Sequence, residues 1–443
     1  MNILEKASTM LKNYPLCDHC LGRQFALLGH GIENRERGKS IKTILTLQAN
    51  AATLCSEKEG LETLYVLSTN GFFEIARQMM NRLAETIYKE DVLKKCFLCY
   101  GKFEITDKLA ETAVEKLGKY DHINFLVGVH LPVMVEERED EFKAKFDVCY
   151  GENMRNEFGR IIGKKIANKT GKTVEYQRPE IVVLINPMKD EIELQINPLY
   201  VAGRYRKLVR GIPQSKWLCS RCRGEGCEEC KWTGKLYLES VAEIIEKPFL
   251  EETGGVSTAF HASGREDIDA LMLGEGRPFV IEIKKPRKRI LNLEKLQEAV
   301  NSGAEGKIEI SDLQPADKEA VRVLKRREGA QKEYRVTIRF ENKITSRDLK
   351  SLMKRLKNTL VQQRTPIRVL HRRADLIREK YIYDVKIKKL SPKEAEMKIR
   401  CQGGLYVKEL ITGDNKRTEP SVSGILENKA EPIKLDVLNI TKG

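Results

Sequence analysis

An acidic corner is the first place in this chain where chemistry could be done. Gly264-Arg265-Glu266-Asp267-Ile268-Asp269 sets three carboxylates within four positions, beside one arginine. A short turn or helical segment follows, then Gly274-Glu275-Gly276, then a strand from Arg277 to Ile283. A loop anchored on a strand is a common way to present one carboxylate to a substrate, although three charges on a turn also suit plain solvent exposure. The rest of the chain narrows the options. Gly38-Lys39-Ser40 and Gly171-Lys172-Thr173 lack the upstream glycine of a phosphate-binding loop. No G-x-G-x-x-G follows a strand, and neither H-E-x-x-H nor G-x-S-x-G occurs. Among the six histidines no catalytic set stands out. What remains is a chemistry run by a carboxylate without an organic cofactor.

Cysteine supplies the second kind of chemistry. Eight of the eleven cysteines fall in four C-x-x-C pairs: Cys17/Cys20, Cys96/Cys99, Cys219/Cys222 and Cys227/Cys230. One such knuckle offers two thiolates from a tight turn, and two knuckles complete a zinc tetrahedron. The N-terminal stretch has no apolar core with a cleavage site, so a reduced cytoplasmic protein is expected and zinc is preferred to disulfides. Cys219 to Cys230 reads as a compact ribbon, too small to build a core without metal. The other two pairs can meet only if the helices between them fold back. Four cysteines per site leave no coordination position for water, so two structural zinc ions are expected. Neither knuckle of the ribbon opens a helix in a βαβ pattern, which disfavours a redox role. Cys55, Cys149 and Cys401 are expected to be ordinary core residues.

The elements that must position these residues are of mixed type. A short helix ends before Pro15, and residues 40–95 are mostly helical, with Ile75, Met79, Leu83 and Ile87 as an apolar core stripe. An α/β region follows: a helix from Asp107 to Leu117, a strand from His122 to Val135, a helix from Asn156 to Thr170, and paired strands Ile181–Asn186 and Glu191–Ile196. Then comes Gly203 to Pro213, a basic segment with glycines near its ends and a tyrosine inside. Its Arg204, Arg206, Lys207 and Arg210 suit a nucleic-acid backbone. Beyond residue 239, strands are expected at Phe279–Ile283, Tyr334–Phe340, Tyr381–Ile387 and Ala395–Cys401. Helices are expected at Leu293–Asn301, Ala316–Arg326 and Ser346–Asn358. Without regular βα alternation, this argues for an α+β domain with a mainly antiparallel sheet.

The chain is 443 residues long, which suggests several domains. Its net charge of +15 points to a polyanionic partner. No stretch approaches the ~18 consecutive apolar residues of a membrane helix.

Two resemblances sharpen this. The order strand, helix, strand, strand and basic loop, carried by RNEFGRIIGKKIANKTG, IVVLINP and GRYRKLVRGIP, resembles the THUMP domain, an RNA-binding module of RNA-modifying enzymes. Thr365 to Arg373, Gly404 to Glu409 and Gly413 to Thr418 also stand out. Together with Gly264-Arg265-Glu266-Asp267, Gly276-Arg277-Pro278-Phe279 and Lys332-Glu333-Tyr334, they resemble the Pus-ten family of archaeal and eukaryotic pseudouridine synthases. That family also carries two N-terminal C-x-x-C pairs and, in archaea, the four-cysteine ribbon. The resemblance covers essentially the whole chain.

It implies isomerisation of uridine to pseudouridine at positions 54 and/or 55 of the tRNA T-arm loop, without an organic cofactor, by a monomer with no membrane association. Asp267 matches the catalytic aspartate of an Arg-x-Asp signature. Tyr334 matches the base-contacting tyrosine of K-x-Y, and Tyr406, with Lys408 beside it, a second tyrosine motif. Leu435 matches a hydrophobic position further on. Val407 and Gly404-Leu405 replace the isoleucine and Gly-Thr frequent in relatives, changes expected to be harmless. Arg265 is expected to fill the gap left by the flipped uridine or to bind its phosphate. Lys284, Lys285, Arg287, Lys288 and Arg289 could clamp the tRNA backbone, with Arg364, Arg368, Arg372 and Arg373 across the cleft.

The expected layout is a zinc-binding helical module (1–103), a THUMP-like domain (104–212), a zinc ribbon (213–238) and a catalytic domain (239–443). A zinc-containing tRNA-binding protein without catalysis would share the charge, the THUMP-like segment and the ribbon. Convergence of Asp267, Tyr334 and Lys408 in one basic cleft separates the two readings.

Overall fold

The structure is a computed structural model that describes residues 2–83, 94–326 and 331–440, leaving out the side chains of Leu83 and Arg372. It divides into two compact units, Met1–Asn197 and Pro198–Gly443. Among the described residues no helix is long and apolar enough to cross a membrane.

The first unit opens with α1 (Ile3–Asn13), started by a capping box between Asn2 and Glu5. Then come α2 (Asp18–Gly22), α3 (Asn34–Leu54), α4 (Lys58–Thr69), α5 (Glu74–Leu83) and α6 (Thr106–Leu117). The apolar stripe on α5 is displaced by one position from the expected one. Ala76 and Met80 are buried, whereas Ile75 is exposed, and Ile87 lies outside the described residues. After α6 come β1 (Asn124–Val129), α7 (Val133–Lys145), α8 (Met154–Thr170), β2 (Thr173–Val174), β3 (Ile181–Asn186) and β4 (Glu191–Ile196). The sheet order is β2-β1-β3-β4, with β1 parallel to both its neighbours and β3–β4 antiparallel. Phe158, Ile162 and Ile166 recur every four residues on α8 and join Phe125, Ile181, Val183 and Ile185 in the core. The strand expected to run to Val135 stops at Val129, and Pro132 caps α7 instead.

The second unit begins earlier than expected, with β5 (Leu199–Lys207). It continues through α9 (Val241–Thr253), β6 (Ser257–Ala262), β7 (Leu271–Lys284), α10 (Leu293–Gly303), β8 (Ile308–Ala316), α11 (Lys318–Arg326) and β9 (Gln331–Phe340). The last part holds α12 (Ser346–Leu356), β10 (Thr359–Arg364), β11 (Ile377–Ser391), β12 (Glu394–Gln402), α13 (Val407–Thr412), β13 (Thr418–Glu419), α14 (Val422–Leu426) and β14 (Ala430–Ile440). The strands make one ten-stranded sheet in the order β13-β10-β11-β12-β9-β14-β7-β5-β8, with β6 also on β7. Among the described residues only β14–β7 is parallel, so the sheet is mixed and mainly antiparallel, as the element order implied. Two large apolar cores fill it, one under β9 to β12 and one under β5, β7 and β8, and a small third cluster joins Val280 to Val321 and Leu324 of α11.

Candidate active site

The acidic corner is the connection from β6 to β7. In β7, Tyr205 of β5 stands opposite Arg277 while Lys207 stands opposite Met272, so the glycine-bearing stretch between bulges out of the ladder. Gly274 must be glycine there. Its φ is +60°, and a Cβ would lie 1.8 Å from the Leu438 carbonyl oxygen. The bulge brings Arg277 round under the corner. Its Nε donates to Glu266 at 2.8 Å and its Nη1 to the Ser263 carbonyl at 2.7 Å. Tyr205 donates its hydroxyl to the same carboxylate, whose two oxygens lie 3.0 and 2.9 Å away. Glu266, Arg277 and Tyr205 are all buried. Glu266 is therefore the floor of the corner, and burial together with its charge pushes the Tyr205 hydroxyl pKa up.

Asp267 points the other way, into a cleft of about 970 Å³. Lys408 Nζ stands 3.2 Å from its Oδ2 and 2.9 Å from both oxygens of Asp269. Arg368 Nη2 lies 3.7 Å from Asp267 Oδ2, while its Nε donates to Glu409 at 2.6 Å. Burial acts to raise the Asp269 carboxyl, but Lys408 outweighs it and holds the group below its ordinary range. Lys408 thus serves two aspartates, and Arg368 is a second cation on Asp267 that sequence placed only in a general RNA-clamping cluster.

The same cleft is lined by Tyr334, Tyr406 and Leu435. Burial raises the Tyr334 phenol well above its ordinary value. Tyr406 is clamped through its backbone by Gln363, which accepts from its N–H at 2.8 Å and donates to its carbonyl at 3.0 Å. Arg373 donates to the Tyr406 hydroxyl at 2.7 Å. Lys332, unremarked in the sequence beyond its place in K-x-Y, also lines the wall. Burial, then the charge of Arg277, pushes its pKa down to about 8.

The basic segment expected to grip RNA does something else. Arg204 donates to the carbonyls of Glu275 and Gly276 at 2.6 and 3.0 Å, and Arg206 pairs with Glu309. Lys207 is fully buried, and the Arg210 guanidinium is bonded to Asp269, Leu435 and Asp436. Residues 199–207 form a strand inside the sheet, so donors along it meet protein acceptors. Further along, Gln214 donates to the Gly264 carbonyl at 2.9 Å, and the exposed Arg265 guanidinium lies 5.4 Å from the centre of the Trp217 ring. In the other cluster, Lys284, Lys285, Arg287 and Lys288 are exposed, Lys288 pairing with Glu252. Arg289 is half-buried, and the side chain of Arg372 lies outside the described residues.

The cysteines gather into two tetrads, Cys17/Cys20/Cys96/Cys99 and Cys219/Cys222/Cys227/Cys230. Cys17 and Cys99 sulfurs are 3.6 Å apart, and Cys219–Cys227 and Cys222–Cys230 are each 3.8 Å apart. Thiolates around one zinc at Zn–S ~2.3 Å would stand about 3.8 Å apart. Backbone N–H groups aim at the sulfurs, from Cys20 to Cys17 and from Gly226 to Cys222. The donor set and spacing therefore fit a tetrahedral metal in both tetrads. Of the lone cysteines, Cys401 is buried, but Cys55 and Cys149 are exposed, against expectation.

Comparison with known families gives the class, a pseudouridine-synthase-like unit preceded by a THUMP domain. Residues 200–441 match the family model described as Pus10, C-terminal, and residues 109–186 match the one described as Pus10 THUMP domain, archaeal. A relative from Methanocaldococcus jannaschii is 45% identical over 97% of this chain and 93% of its own length. One from Methanothrix thermoacetophila is 41% identical over 99% and 94%, and one from Pyrococcus furiosus 39% identical over 99% and 98%. All three are named tRNA pseudouridine synthase Pus10. The chain belongs to the Pus10 family.

Proposed function

We propose that this chain isomerises uridine to pseudouridine at position 54, position 55 or both in the T-arm loop of tRNA, with Asp267 as nucleophile and no organic cofactor. The observation that carries the reading is the meeting of Asp267, Tyr334, Tyr406, Lys408 and Leu435 in one cleft whose other charged groups are mostly cations.

The reaction is an isomerisation. The N1–C1′ bond of the uridine breaks, the uracil turns, and a C5–C1′ bond forms. C5 gives up a proton and N1 gains one, so no atom is added or lost. Lys408 and Arg368 flank the Asp267 carboxylate, the group that attacks. The uridine must leave its stack to reach the cleft, and Arg265, exposed at the corner, is placed to fill the gap or meet a phosphate. Tyr334 meets the base as a neutral phenol, with its ring against uracil and its hydroxyl near the C5 proton. Leu435 and Tyr406 wall the space in which the base turns. Lys284, Lys285, Arg287 and Lys288 are assigned to the tRNA backbone.

Asp267→Ala, assayed on unmodified tRNA transcript by carbodiimide or bisulfite mapping, is expected to make no pseudouridine while still binding tRNA. Wild-type conversion by that variant would sink the assignment, and the map also decides between the two uridines. Both tetrads are assigned zinc, with the eight cysteines as ligands and a structural role. Metal analysis of freshly reduced protein should give about two zinc ions per chain, and a value of zero refutes this.

A further inference from the structure

The cations behind the catalytic corner have no part in the reading so far. Lys207 exposes none of its surface. Its ammonium donates to the carbonyls of Ile212 at 2.9 Å, Asp267 at 3.2 Å and Ile268 at 3.0 Å. Three donors meet three acceptors, so the group is satisfied without any carboxylate bonded to it. Arg210 continues the pattern, donating to the carbonyls of Asp269 at 2.6 Å and Leu435 at 3.1 Å and pairing with the buried Asp436. Arg335 holds the other oxygen of Asp436 at 3.1 Å. The Gly211 N–H adds a further bond to Ile268, at 2.9 Å.

Three successive carbonyls of the corner, Asp267 to Asp269, are thus capped from behind. Leu435, on another wall of the cleft, is tied to the same guanidinium. Carbonyls in a connection between strands have no ladder partner, and here the cations join the N–H groups of Gly211 and Ala270 as their donors. An apolar side chain would fill this volume at less cost than a buried ammonium, but it would take one donor away from each of the carbonyls that Lys207 meets. The cations set where the backbone of Asp267 lies, and hence where its carboxylate can reach.

We propose that Lys207 and Arg210 are positioning residues for the isomerisation, holding the corner so that the Asp267 carboxylate stands at the reacting base. This rests on Asp267 being the nucleophile. It also opposes the reading of both residues as RNA contacts, because their donors are already engaged by the protein.

The test compares wild type, Lys207→Met, Lys207→Arg, Arg210→Met and Asp267→Ala. It measures single-turnover rate at saturating tRNA, tRNA affinity over a range of salt, and the melting transition. Lys207→Met and Arg210→Met are expected to lower the rate roughly ten- to a hundredfold, the scale of a misplacement of about 1 Å. Affinity and its salt slope should stay at wild-type values, and Lys207→Arg should recover part of the rate. If Lys207→Met does not fold, Arg210→Met carries the test, since its side chain is partly exposed. A salt slope lowered by about one per residue, with the rate intact, would mean phosphate contact and overturn the proposal. So would wild-type rates in both methionine variants. Should Asp267→Ala remain active, it is the nucleophile assignment that fails. An inactive Asp267→Ala beside fully active methionine variants removes only the positioning role.

Discussion

Strands β5 and β7 lie side by side in one sheet, and each ends in a run of cations. At the end of β5, Lys207 is wholly buried and Arg210 is pinned to carbonyls and to Asp436. At the end of β7, Lys284 and Lys285 are exposed, and among the described residues neither side chain makes a hydrogen bond or ion pair. Lys285 takes a left-handed φ of 49° where the strand gives way to the segment carrying Arg287, Lys288 and Arg289. The two runs have similar composition and opposite uses. Where the donors reach main-chain carbonyls, the cations shape the protein. Where they end in solvent, they remain available to a polyanion. Lys332 is a third condition, a half-buried ammonium on the cleft wall with no hydrogen bond or ion pair among the described residues.

That third condition gives the largest expected effect. The Lys332 pKa falls from its ordinary 10.5 to about 8 in the folded chain. Between those values the unfolded chain binds more protons, so folding stability rises with pH from about 8 to about 10.5. Below pH 8 the folded chain carries a poorly compensated ammonium, which costs on the order of 3 kcal/mol on the pKa difference. Lys332→Met should therefore be more stable than wild type at pH 7 in urea denaturation, with the gap closing by pH 10.5. Equal stability at pH 7 would mean that Lys332 is as well satisfied as Lys207, and the contrast between them would collapse.

Which cation belongs to which condition could not be seen from residue types. β5 escaped notice as a strand because its inward positions are Val201, Gly203, Tyr205 and Lys207, so no apolar alternation marks it. A buried lysine among them looks like one more surface charge. α7 was hidden for a similar reason. Its buried face is Val135, Glu139 and Phe142, and Glu139 is satisfied by Arg23 and the Met154 N–H from afar as well as by Lys143 one turn on. Glu266 looked like the equal of Asp267, but its partners are Arg277, eleven residues on, and Tyr205, on another strand. By contrast, the tetrads were legible because each C-x-x-C knuckle presents two thiols from one tight turn, and such knuckles combine in pairs around a metal. Helices α6 and α8 were legible because their core faces are mostly apolar, with Thr106 and Glu157 as the buried exceptions. Asp267, Tyr334, Tyr406, Lys408 and Leu435 were named through motif resemblance, and their sharing of one cleft is a fact of the sheet that no spacing contains.

The smaller effect lies at the exposed end of β7. If Lys284 and Lys285 each meet a tRNA phosphate, Lys284→Ala with Lys285→Ala should weaken binding several-fold and lower the slope of log affinity against log salt by about two. The single-turnover rate at saturating tRNA should not change, because neither ammonium touches the cleft or the corner. An unchanged slope would assign these lysines to a solvated surface and move the RNA contacts elsewhere. A lowered rate with an unchanged slope would instead mean that the end of β7, like the end of β5, acts through the protein. The difference between the two runs would then be one of exposure alone.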